Sequence, residues 1–263
     1  MIRNRVAPIE LPKVKEQHRV GVFGEFADVM DDAIARAEAA PGKAQRERAL
    51  FFRHLRDKVD HDRFGRMQER FLSDGVLDPA ADLVKYIDPT LWFESKLAIA
   101  QRLGLKGRGP SRILDVGTGP AHFPVVAAFY GHEVVGTDLP LRVTGDLEGG
   151  HLYDVLGDIY GVRRLPLKVR AFQPLPDLDG RYDLVTAFLA AFNVREDKSP
   201  WGPDEWAFFL RDVRDNVLVP GGEVYMSLAN QKLSEEAWRF LADRAAFTLE
   251  QSKQIHLKDL SAF

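Results

Sequence analysis

The chain has 263 residues, 45% of them apolar and 29% charged, with a net charge of -3. It is long enough for one large α/β domain or a standard domain with an appendage, too apolar for disorder, and not basic enough for a surface built to neutralise nucleic-acid phosphates. It contains no cysteine, which excludes disulfides, thiolate metal sites, iron–sulfur clusters and any cysteine nucleophile.

From the start, Pro8, Glu10 and Pro12 interrupt the apolar middle that a signal peptide needs, and no long uncharged apolar run follows anywhere. No membrane span is expected and the cytoplasm is the expected compartment. Residues 1–109 read as a helical N-terminal region. Phe26, Val29, Met30, Ile34 and Ala37 recur at helical spacing over Phe23–Ala40, and Pro41-Gly42 ends that helix. A second helix starts near Ala44 and carries Leu50, Phe51, Leu55 and Val59; it continues, or breaks and restarts, through Phe64, Met67 and Phe71. Asp88-Pro89 predicts the cap of a third, running through Trp92 and Leu97 to about Leu103.

Residues 110–263 alternate between strands and helices. Predicted strands are Arg112–Gly117, Glu133–Asp138, Leu167–Phe172, Tyr182–Phe188 and Gly222–Ala229, with one or two more over Phe247–Leu257. Helices are expected over Pro120–Tyr130, Leu147–Tyr160, Asp204–Leu218 and Ser234–Ala246. This alternation implies a doubly wound, mostly parallel α/β sheet covered on both faces, with the ligand at the carboxyl ends of the strands.

The most informative segment is Asp115-Val-Gly117-Thr118-Gly119-Pro-Ala121-His122, directly after the first of these strands. Its glycines permit positive φ and close approach of a ligand to backbone, and the helix behind it presents free N–H groups. Asp138 ends the next strand about twenty residues on, where an acid accepts bonds from a ribose diol. A dinucleotide fingerprint would want its third glycine where His122 stands.

From the Asp115–Gly119 turn, Asp138-Leu139, Leu175-Pro176 with Tyr182-Asp183-Leu-Val, and Pro220-Gly221-Gly222, the chain resembles the class I S-adenosylmethionine-dependent methyltransferases over roughly Ser111–Asn230. The resemblance implies a Rossmann-like methyltransferase fold and S-adenosylmethionine as cofactor. It assigns Asp115 to the glycine turn and the methionine ammonium, Gly117, Thr118 and Gly119 to the methionine and ribose, and Asp138 to both ribose hydroxyls. Leu139 would pack on the adenine, Phe172 and Gln173 would meet its edge, and Phe188 would flank the methyl group. Gln173 departs from the acid common at its place, which leaves the adenine N6 contact open.

Transfer from a sulfonium needs alignment above all, and a base for hydroxyl or amine acceptors. His122, at the mouth of the cleft, is a candidate base or a packing residue of its helix; Asn193 orients an acceptor or satisfies a turn. Trp201, in a Pro-Trp-Gly-Pro loop, is placed to line a pocket, Asn230 to reach it or cap a strand, and Tyr86 and Trp92 to cover the methionine end. His54 and His61 lack further ligands at a metal-binding spacing. The basic residues of Lys43–Arg70 alternate with acids, as on a solvated, ion-paired helix.

The absence of cysteine and of an Asp/Asn-Pro-Pro-aromatic motif disfavours methylation of pyrimidine C5 and of exocyclic base amines. Within the family, Pro174-Leu-Pro-Asp-Leu, Tyr182-Asp-Leu-Val-Thr-Ala-Phe188, Phe192-Asn193, Trp201-Gly and Glu205-Trp206 resemble a group of bacterial methyltransferases of uncertain substrate. That resemblance implies O-methylation of a small molecule, a saccharide or secondary metabolite; neither membrane nor nucleic acid is expected as partner. The rivals are an RNA- or protein-directed methyltransferase that uses the N-terminal helices as an arm, and a catalytically silent binding protein. Oligomeric state is left open.

Overall fold

The computed structural model describes residues 24–73, 84–90, 92–139, 151–190, 192–229 and 233–263. The readings made on residues 1–12, on Asn230 and on a helix start at Leu147 lie outside them.

The strands are β1 (Arg112–Val116), β2 (Glu133–Asp138), β3 (Arg163–Pro166), β4 (Tyr182–Phe188), β5 (Leu218–Ser227), β6 (Phe247–Leu249) and β7 (Gln254–Leu257). They form one sheet in the order β3-β2-β1-β4-β5-β7-β6. β1 to β5 pair in parallel, and β7 runs antiparallel to both its neighbours. This is the doubly wound, mostly parallel sheet the alternation implied.

The central strands are buried on both faces, and their side chains alternate between two cores. Ile113, Leu184 and Tyr225 face one core; Leu114, Val116, Val185, Ala187, Val224 and Met226 face the other. On the first face pack α1 (Phe26–Ala39), α2 (Lys43–Lys58), α3 (His61–Ser73), α4 (Phe93–Arg102), α5 (His122–Phe129) and α6 (Leu152–Ile159). Phe51 of α2 touches the rings of Phe93 and Phe129 at centroid distances of 5.2 and 5.4 Å. The N-terminal helices thus share one core with the sheet. The second face carries α7 (Pro203–Asp212) and α8 (Glu235–Ala242).

α2 stops because Val59 turns to extended backbone, and Asp60 restarts the helix as α3 by accepting from the Arg63 N–H at 2.9 Å. Three expectations are corrected. Asp88 opens a turn instead of a helix: its carboxylate accepts from the Thr90 N–H at 2.7 Å and the Thr90 hydroxyl at 2.9 Å, and α4 begins at Phe93. The third strand is Arg163–Pro166, not Leu167–Phe172. The Leu167 N–H donates to the Asp138 carbonyl at 2.6 Å as the chain leaves the sheet, and Leu167 and Val169 are buried because they fold into the second core. Trp201 does not line a pocket. It is fully buried against Trp206, Phe192 and Phe209.

Candidate active site

Between β1 and β4 the order of the parallel strands reverses, and ligands in open α/β sheets bind at the strand ends beside such a point. A cleft of about 970 Å³ opens there, bordered by the ends of β1, β2 and β4 and by α4. Its floor is the turn after β1. Gly117, Gly119 and Ala121 hold φ angles of +69°, +52° and +64°. The Thr118 N–H is anchored on the Thr137 carbonyl at 2.8 Å. At Gly117 the space is also taken: a Cβ would stand 2.4 Å from that of Ala190. Ala121, a non-glycine residue in the left-handed region, turns the chain into α5.

Two carboxylates bracket this turn. Asp115 is buried and accepts from the hydroxyls of Thr118 and Thr186 at 2.7 and 2.6 Å. Burial pushes its carboxyl up to about 6, against the pull of Thr186, Thr118 and Lys96. Asp138 accepts from the Gly119 N–H through Oδ2 and from the Leu139 N–H through Oδ1, both at 2.8 Å. The Arg164 guanidinium reaches the same Oδ2 at 3.3 Å and is itself held by Asp154 at 2.8 Å. A carboxylate offers about four lone-pair sites, so Asp138 keeps acceptor capacity toward the cleft it lines.

The opposite end is aromatic. Tyr86 stands against Trp92 and Tyr153 at ring separations of 5.4 and 5.5 Å, and Phe188 against Phe123 at 4.6 Å. His122 is buried beside Phe93, its Nε2 has no hydrogen-bond partner, and burial, with Lys96 adding to it, pushes the imidazole down to about 3. It is neutral at working pH and a weak proton acceptor.

Lys96 of α4, only 9% exposed, borders the same cleft with Nζ 3.8 Å above the Phe188 ring. Burial pulls its ammonium down to about 8, opposed by Asp115. A fall from 10.5 to about 8 corresponds to roughly 3 kcal/mol of destabilisation while the lysine is charged in both states. Above about 8 the folded lysine releases its proton while the unfolded one keeps it, so the penalty lifts as pH rises. Lys96→Met is therefore expected to stabilise the ligand-free protein at pH 7 by on the order of 1–3 kcal/mol, allowing for the lost ring contact. Urea denaturation at pH 7 and pH 10 checks this, and the gain should shrink at the higher pH.

Of the residues singled out from the sequence, Asp115, Gly117, Thr118, Gly119, His122, Asp138, Leu139, Gln173 and Phe188 border this one cleft, as do Tyr86 and Trp92. Phe172 and Asn193 do not. Phe172 is 57% exposed against the ring of Phe208, and Asn193 is buried beneath the loop where its carbonyl accepts from the Trp201 N–H at 2.9 Å. Lys96 was missed, although Phe93, Lys96, Leu97 and Ala100 fall at the spacing of a buried helical stripe, where a charge stands out. Among the described residues no group of three His, Asp or Glu could hold a metal ion, and no helix is long and apolar enough to cross a membrane.

No protein-family model and no curated protein matches the chain. Among solved structures it is similar to ribosomal protein L11 methylase from Lactobacillus delbrueckii subsp. bulgaricus (21% identity, 59% of this chain and 73% of that one, TM-score 0.38). It is also similar to the CcbJ methyltransferase from Streptomyces caelestis (22% identity, 51% and 47%, TM-score 0.35). A third is the PH0226 protein from Pyrococcus horikoshii OT3 (18% identity, 70% and 81%, TM-score 0.38). The chain spans about half the length of CcbJ. At these identities and scores the similarities bear on neither reaction nor acceptor. The strand order, with its antiparallel β7 and the glycine turn after β1, is that of a Rossmann-like methyltransferase fold.

Proposed function

We propose that this chain is a cytoplasmic S-adenosylmethionine-dependent methyltransferase that O-methylates a small molecule, a saccharide or secondary metabolite. The observation that carries the reading is Asp138, whose carboxylate ends β2, closes onto the Gly119 N–H at 2.8 Å and retains acceptor capacity on the cleft. That arrangement fits a ribose diol lying over a glycine turn.

The residues present fit the cofactor at its other points as well. Asp138 would hold the ribose hydroxyls and Leu139, 51% exposed, would cover the adenine. Gln173, on the same cleft, would meet the adenine edge. Gly117 to Gly119 would take the methionine and ribose against bare backbone, with Asp115 for the ammonium. Bound there, S-adenosylmethionine supplies a methyl group already activated on a sulfonium. Phe188 forms the apolar wall that excludes water beside it.

His122 borders the cleft, but at a pKa of about 3 it does not deprotonate an acceptor hydroxyl, and its unpartnered Nε2 is buried. Tyr86 and Trp92, on the same cleft, would cover the methionine end. At about 970 Å³ the cleft is at the upper end of small-molecule sites, which suits a cofactor with a compact acceptor beside it.

Calorimetric titration with S-adenosylmethionine and S-adenosylhomocysteine tests the proposal, and micromolar binding of both is expected. Binding of neither would leave the fold put to some other use. Acceptor binding that weakens steeply with salt would favour an RNA substrate instead.

A further inference from the structure

The charge of Lys96 is not used by the proposal above, and it is out of place in the protein by itself. Its ammonium is buried, and its recorded partner is a ring face; no carboxylate oxygen lies within 4.0 Å of Nζ among the described residues. A buried cation without an anion costs free energy unless something completes it.

The neighbouring groups say what would do so. Asp115, also buried, borders the same cleft and interacts electrostatically with Lys96 without forming an ion pair. The turn after Asp115 leads into α5, whose first residue, His122, is on the cleft and close enough to Lys96 to feel its charge. A fixed cation and a fixed anion, close enough to interact but not paired, complement a ligand that carries both charges on one carbon, which is an α-amino acid.

We propose that Lys96 is the receptor for the α-carboxylate of the cofactor's amino-acid end, facing Asp115 across the zwitterion. The inference rests on the cofactor reading given above. Lys96 then acts by binding: it fixes the amino-acid end and thereby the sulfur beside Phe188, whose ring carries both the Lys96 ammonium and the wall of the methyl site. The lysine's partner arrives with the ligand, so the unfavourable burial of its charge in the ligand-free protein is offset on binding.

The test compares S-adenosylhomocysteine with its decarboxylated analogue, which keeps the adenosine, the thioether and the ammonium and lacks only the carboxylate. Titration calorimetry of the wild-type protein should show S-adenosylhomocysteine binding at least about 10-fold more tightly. In Lys96→Met its affinity should fall about 10- to 100-fold while that of the analogue changes by less than about threefold. Lys96→Arg, which keeps a cation, should retain part of the preference.

Equal binding of the two ligands by the wild type would overturn the proposal while leaving the cofactor reading intact. So would a Lys96→Met variant that weakens both ligands alike, because that is the signature of a structural role. An acidic acceptor as the true partner of Lys96 would show the same way, since the carboxylate of S-adenosylhomocysteine would then make no difference. The wild-type comparison needs no variant to fold. If the wild type bound neither ligand, the cofactor reading itself would fall.

Discussion

Asp138→Ala is expected to weaken S-adenosylhomocysteine binding at least about 100-fold, beyond ready detection by calorimetry. Two ribose hydroxyls, one on the open site of the carboxylate and one displacing the long 3.3 Å Arg164 contact, are charge-assisted hydrogen bonds of about 1.5–3 kcal/mol each, and the alanine offers neither. The same substitution strips the acceptor from the Gly119 and Leu139 N–H groups and frees Arg164 from one of its two acids. A loss of about 1–3 kcal/mol in stability should accompany it. Asp138→Asn separates the two effects. Its single carbonyl oxygen still accepts from one of the two N–H groups while its NH2 faces the other, so stability should recover only in part, and with no acceptor to spare for a diol binding should remain poor. If Asp138→Ala bound the ligand within threefold of the wild type, the ribose contact would be wrong, and with it the observation that carries the proposed function.

How far the sequence leads depends on where each residue's burial comes from. β2 and β4 were legible to the residue because a central parallel strand is buried on both faces and bounded by breaks in hydrophobicity. β3 was not, because it sits at the sheet edge: Arg163-Arg-Leu-Pro has one neighbour and carries two arginines, whereas Leu167 and Val169 belong to the core without belonging to the sheet. Moving that strand also explains Phe172. Expected just beyond the strand and beside the adenine, it lies six residues past the strand's end, in a left-handed turn at φ +55°, and leans on Phe208 instead. The glycine turn was legible since its geometry is a property of Gly117 and Gly119 themselves. Lys96 was overlooked for the opposite reason. Its importance comes from what α4 packs against, and the charge on the apolar stripe becomes meaningful only once Asp115 and Phe188 stand across the cleft from it.

Gly117→Ala should be the most damaging single methyl in the site, at about 2–5 kcal/mol of lost stability. One part is conformational: at φ +69° an alanine is strained by about 1–2 kcal/mol. The other is steric, since the new Cβ would sit 2.4 Å from the Ala190 Cβ, and overpacking of this kind costs about 1–3 kcal/mol. The two parts can be measured separately. Ala190→Gly in the same chain removes the overlap but not the strain, so Gly117→Ala with Ala190→Gly should regain the steric part in urea denaturation and keep the conformational deficit. Ligand binding should follow the turn: the overlap can be relieved only by moving the loop after β4 away from the end of β1, and that opens the cleft where Asp115, Lys96 and Phe188 must converge. S-adenosylhomocysteine affinity should accordingly fall at least about tenfold in the single variant and recover most of the way in the double variant. A single variant as stable as the wild type would mean that the loop yields freely, and that the close packing of Gly117 on Ala190 does not hold the site together.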